Sequence, residues 1–287
     1  MADGRPVEKV AIRTASLACA FYVPNSMPSM NRPMNDPIPI PASVPPTPTT
    51  SRVDDRGRAY AGSQLSIQAW VNCRGTDLAA QILRALSVAD DPARVEWRAP
   101  LARVGFEEPR DGAFLKAVDL AAHANALRAF WPRRGPVWDA LGVIPGAANR
   151  PKTVILIEAK SYPGEVLGSG CQATPGGTSR TLIENSLDAT AAWLGIARPS
   201  SWMGALYQSA NRLAHAYFLR ERLGVDAYLV NVCFTGDAAP RDTSRAAWAA
   251  AHRDHRAELG LGERPIPWLA DVIVPALTRD ELLTGCP

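Results

Sequence analysis

Three polar side chains near the middle of the chain have the types and spacing of a hydrolytic site. Asp139 lies in "PVWDALGVI", and Glu158 and Lys160 close the apolar run "TVILIEAK". Side chains alternate with period two along a strand, so Glu158 and Lys160 share a face with Val154 and Leu156, while Ile155, Ile157 and Ala159 point the other way. The two runs are joined by "PGAANRPK", rich in turn formers, which predicts a hairpin. Setting Ile144 opposite Thr153 and running the register back places Asp139 opposite Glu158. Facing β-carbons in such a pair stand about 4.5–5.5 Å apart, and like charges there repel unless something offsets them. A divalent cation would do so, and magnesium, with manganese as a substitute, suits hard carboxylate oxygens. Lys160 would then hold or deprotonate a water attacking phosphorus, or neutralise transition-state charge. The plainer alternative is a strand end reaching solvent, with Asp139 paired to Lys160.

Lysine is scarce here. Lys9, Lys116, Lys152 and Lys160 are the only lysines among 31 basic residues, so surface charge is carried by arginine. A lysine at position 160 therefore suggests a need for a compact cation whose pKa can shift, which a guanidinium does not supply.

Asp139 followed nineteen residues later by Glu158-Ala159-Lys160 at the end of an apolar strand, with helices after it, resembles the PD-(D/E)xK superfamily of restriction-endonuclease-like phosphodiesterases. The likeness covers about residues 94 to 234. It implies an α/β fold with a restriction-endonuclease-like core, a central mixed β-sheet flanked by helices. It also implies a magnesium-dependent nuclease that hydrolyses nucleic acid, DNA ahead of RNA, with Asp139 and Glu158 as metal ligands and Lys160 as the catalytic lysine. Trp138 stands where the family's name has proline, with Pro136 two residues earlier. A catalytically inactive protein of the same fold, binding nucleic acid or a protein partner, is the alternative.

The resemblance directs attention to two further places. A later helix carries Gln208, Asn211, Arg212 and His215 on one side and Leu206, Ala210, Leu213 and Tyr217 on another. A solvated polar face is the plainer reading of the first side; if that side instead lines the cleft, Gln208 and Arg212 are the candidates for contact with substrate phosphate. For an additional acid, Glu108 and Asp111 in "EEPRDGAFL" and Glu165 beyond the E-x-K strand are the candidates.

Other constellations carry less. His252 and His255 in "HRDH" have metal-pair spacing, but their arginine-rich context predicts a solvated helix face. "GEVLGSGCQATPGGTS" lacks the G-K-[ST] ending of a phosphate loop and reads as a connection. No G-x-S-x-G elbow appears, and the strand and helix count does not suit a barrel.

The elements that must position the site alternate from about residue 52 onward. "RAYAGSQLSIQAWVN" fits a strand or a helix start, "TDLAAQILRAL" a helix, "RVEWRAPL" a strand, and "DGAFLKAVDLAAHANALRAFW" one helix stopped by Pro132. After the hairpin come the helices "SRTLIENSLDATAAWLG", "WMGALYQSANRLAHAYFLRERLG" and "TSRAAWAAAHRDHRAELG" and the strands "DAYLVNVCF" and "ADVIVPAL". Residues 1–51, proline-rich from 24 to 50, read as a disordered arm ahead of a single α/β domain at 52–287.

Composition narrows the rest. With 47% hydrophobic residues the 287-residue chain can pack a substantial core, and a net charge of +3 marks no dedicated polyanion binder. Five scattered cysteines without a C-x-x-C pair point away from a disulfide framework or zinc and toward a reducing, cytoplasmic setting. "TASLACAFYV" is preceded by acids and followed by a poor cleavage region, so it is not read as a signal, and no stretch is long enough to span a membrane.

Overall fold

A computed structural model describes residues 51–146, 151–237 and 243–284, all within one compact unit, Thr49–Pro287. Residues 1–50 of the expected arm and residues 147–150 of the hairpin loop fall outside these residues. Five strands form one sheet in sequence order: β1 (Glu96–Ala99), β2 (Ala140–Ile144), β3 (Thr153–Lys160), β4 (Asp226–Thr235) and β5 (Leu269–Pro275). β1, β2 and β3 run antiparallel, whereas β3, β4 and β5 run parallel, so the sheet is mixed. Every residue of β3 is buried, as the centre of such a sheet demands of an apolar run.

The helices are α1 (Gly62–Cys73), α2 (Gly75–Ala85), α3 (Asp111–Ala117), α4 (Ala124–Phe130), α5 (Thr178–Leu194), α6 (Tyr207–Tyr217), α7 (Arg245–Glu258) and α8 (Arg279–Leu283). They cover both faces of the sheet. Ile155, Ile157, Val230 and Val232 pack with Leu65, Ile67 and Ile82 from α1 and α2. Val154, Leu156 and Leu229 pack with Phe114, Leu187 and Leu213 from α3, α5 and α6. The alternation expected along β3 is thus realised: Glu158 and Lys160 extend the second face.

Of the two readings open for "RAYAGSQLSIQAWVN", the helix start is the one realised, as α1. Two details depart from the sequence reading. The single helix expected over 111–131 is two, interrupted where Asp119 takes a left-handed φ of 58°. Cys73 is disulfide-bonded, although no spacing signals it, whereas Cys171 and Cys233 are free thiols. No helix among the described residues is long and apolar enough to cross a membrane.

Candidate active site

The site is assembled at the end of the β2–β3 hairpin. Ile144 pairs with Thr153 and Ala140 with Ile157, the expected register, so Asp139, one residue ahead of β2, comes level with Glu158. Asp139 Oδ2 accepts the backbone N–H of Ala159 at 2.7 Å. Asp139, Glu158, Lys160 and Gln208 line one open cleft of about 310 Å³, together with Ser63 and Glu165.

Neither charged residue of the E-x-K run ends in solvent. Glu158 is 4% and Lys160 8% exposed, so each must be paired to be buried at all. Lys160 Nζ donates to Glu158 Oε1 at 2.5 Å and to Gln208 Oε1 at 2.8 Å. Arg212 Nε donates to Glu158 Oε2 at 2.6 Å, and its other nitrogens reach Asn211 Oδ1 and the carbonyl of Val137. The guanidinium lies 4.9 Å over the ring of Trp138, which is fully buried. Trp138 therefore supports the arginine that grips Glu158. Gln208 lines the cleft, while Asn211, Arg212 and His215 are buried, so this side of α6 is not a solvated face, and Arg212 stands behind Glu158.

Burial raises the Asp139 carboxyl above the usual carboxylate range, and the charge of Glu158 adds to this, while Arg212, the Ala159 N–H and Lys160 offset it only in part. Burial pushes Glu158 up too, but Arg212 and then Lys160 outweigh it and hold Glu158 low. With Asp139 neutral, one anion faces two cations.

The candidates for a further acid separate clearly. Glu165 lines the cleft and accepts the N–H of Ser161 at 2.6 Å. Glu108 is held at 3.0 Å by Gln64 Nε2 of α1, and burial, with a contribution from Glu158, raises its pKa. Asp111 does other work: it accepts the N–H groups of Arg134 and Gly135, fixing the loop before β2.

Among the described residues, no group of three His, Cys, Asp or Glu side chains has the geometry of a metal centre. The pair Asp139 and Glu158 nevertheless fits a hard cation chemically. Both offer carboxylate oxygens, the charge of Glu158 adds to the burial that lifts Asp139, and Asp139 Oδ1 accepts no hydrogen bond among the described residues.

Behind the cleft lies a polar row that the sequence reading missed. Glu158 pairs in register with Asn231, and Asn231 with Asp271, so the row crosses β3, β4 and β5 on one face. Asn231 Nδ2 donates to Asp271 Oδ1 at 2.7 Å, and His252 Nδ1 lies 3.4 Å from the same oxygen. His255 Nε2 is 2.9 Å from Ser209 Oγ, and burial lowers its pKa to about 4. His252 and His255 are each only 8% exposed, which corrects the solvated face expected of them: α7 turns this side onto the sheet and Arg245 and Arg253 outward. The alternation of β4 and β5 is the signal that would locate Asn231 and Asp271.

No family model, no curated protein and no solved structure matches the chain.

Proposed function

We propose that this protein is a metal-dependent phosphodiester hydrolase acting on nucleic acid, through Asp139, Glu158 and Lys160 on a restriction-endonuclease-like core. The observation that carries the reading is the convergence of Asp139, Glu158, Lys160 and Gln208 on one cleft at the end of a mixed sheet. The order of elements supports it as well: an antiparallel hairpin, helices, then a parallel strand beside the E-x-K strand.

Asp139 and Glu158 would hold magnesium or manganese, which when bound would polarise a phosphoryl oxygen and acidify a water. The remaining groups act without it. Lys160 carries three N–H donors and spends two on Glu158 and Gln208, which leaves one for a phosphate oxygen or the attacking water. Gln208 fixes the ammonium sideways, so its position survives when Glu158 engages a cation. Arg212, braced by Trp138 and Val137, keeps Glu158 ionised and ready as a ligand.

The engagement of both Glu158 oxygens by Lys160 and Arg212 also favours a second reading, a silent member of the same fold that binds nucleic acid. Single-turnover assays on linear duplex DNA and on single-stranded RNA, in magnesium and in manganese, separate the two. Cleavage that disappears in Asp139→Asn supports the hydrolase. Binding without cleavage by the wild-type protein supports the silent binder.

A further inference from the structure

Helix α1 begins beside the cleft. It has no side-chain cap and no acid in its first turn, so the N–H groups there have no partner within the helix. Ser63 lines the cleft with Glu158 and Lys160, and with Gly62 and Gln64 it also lines an adjoining groove of about 870 Å³ that runs to Arg52 and Tyr60. Gly62 takes a left-handed φ of 78°, and a β-carbon there would stand 3.7 Å from Ser161 Oγ. Ser161, next after Lys160, is 3% exposed, and its hydroxyl has no hydrogen-bond partner among the described residues.

A buried hydroxyl without a partner costs stability, so its presence at an uncapped helix start calls for a ligand. The groups gathered there, backbone N–H donors, the positive end of a helix dipole and two serine hydroxyls, suit an oxyanion that only accepts hydrogen bonds. Of the nearby acids, Glu165 lines both the cleft and the groove and spends one oxygen on the Ser161 N–H, and Glu108 takes the Gln64 amide.

We propose that the N-terminus of α1, with the hydroxyls of Ser63 and Ser161, is a phosphate subsite beside the Asp139–Glu158–Lys160 cleft. Resting on the hydrolase reading, its occupant is a phosphate of the substrate strand other than the one cleaved, and the strand continues along the groove toward Arg52 and Tyr60.

Two measurements test this without requiring turnover. In the first, inorganic phosphate is titrated against chloride at matched ionic strength while melting is followed, for the wild type, Ser161→Ala and Ser63→Asp. The expected result is a phosphate-dependent rise in Tm for the wild type that falls to background in both variants. Without phosphate, Ser161→Ala should melt no lower than the wild type, since it removes an unpaired hydroxyl. No rise in the wild type, or an equal rise in all three proteins, overturns the proposal.

The second measurement distinguishes the source of the phosphate, using labelled oligothymidylates with EDTA present. About tenfold tighter binding of a 5′-phosphorylated strand than of its 5′-hydroxyl counterpart assigns the subsite to a chain end. Equal binding of those two, with about tenfold loss on placing a methylphosphonate inside the strand, assigns it to an internal linkage. A wild-type protein that cleaves nothing yet shows the variant-sensitive phosphate response would remove the hydrolase reading and leave the subsite standing.

Discussion

The carboxylate of Asp139 accepts the backbone N–H of Ala159, the residue between Glu158 and Lys160. This one bond makes the acid part of the hairpin's register as well as part of the cleft, so its structural and chemical roles are separable by substitution. Asp139→Asn keeps an oxygen for the Ala159 N–H and stays neutral as the buried acid is, but it cannot ionise to hold a cation beside Glu158. Asp139→Ala leaves that N–H unmet, at a cost of about 1–3 kcal/mol. Urea unfolding should show the Asn variant at least as stable as wild type and the Ala variant weakened, with cleavage at background in both. Cleavage by Asp139→Asn would remove this residue from the chemistry.

Lys160→Arg should abolish cleavage although the charge is kept. The ammonium sits in a buried slot between Glu158 and Gln208, and a guanidinium is larger, planar and fixed in charge. Overpacking at a buried position should also lower stability by about 1–3 kcal/mol. Single-turnover rates at matched folded fraction check this, and activity equal to wild type would mean that only charge is needed at position 160.

Much of this site can be read along the chain because its information is local. The pairing of Ile144 with Thr153 follows from two apolar runs and the turn formers between them, and it brings Asp139 to Glu158 without tertiary knowledge. The scarcity of lysine singles out Lys160. What stays hidden depends on contacts across the fold. Arg212 meets Glu158 only because α6 packs on the sheet, fifty-four residues along the chain, and nothing local distinguishes an arginine facing phosphate from one facing a carboxylate. The arginines around His252 and His255 point to solvent, yet helical periodicity lets one face be buried while its neighbours are exposed. The fate of Trp138 is equally non-local, since its partner is that same arginine.

The Glu158–Arg212 pair should show strong coupling. Removing the arginine alone leaves a buried carboxylate short of a partner, which costs about 3–5 kcal/mol, whereas replacing both partners costs much less. A double-mutant cycle of Glu158→Gln and Arg212→Met, followed by urea unfolding, should give a coupling energy above about 1 kcal/mol. Strict additivity would show that Lys160 alone neutralises Glu158.

His215 predicts how stability responds to acid. Its ring is buried among Phe114, Phe130, Trp131 and Trp138, and its Nδ1 lies 2.8 Å from the carbonyl of Asn211, so that nitrogen carries the proton of a neutral imidazole. Burial lowers its pKa from 6.5 to about 4. Between those values the unfolded chain binds a proton that the folded chain refuses, so stability is full above about pH 6.5 and falls steadily toward pH 4. Below pH 4 both states are protonated and this group adds no further loss. The total loss is about 3 kcal/mol, because each tenfold difference in proton affinity between the folded and unfolded chain is worth about 1.4 kcal/mol. His255, whose pKa is lowered in the same direction, adds to the fall. His215→Phe removes the titration from an aromatic setting that accepts a ring. Urea midpoints measured from pH 7.5 to pH 4 should therefore decline less steeply in the variant than in the wild type, with the difference between the two curves confined to the window from 6.5 to 4. Parallel curves through that window would mean that His215 charges in the folded state without penalty, and that its aromatic surroundings admit water.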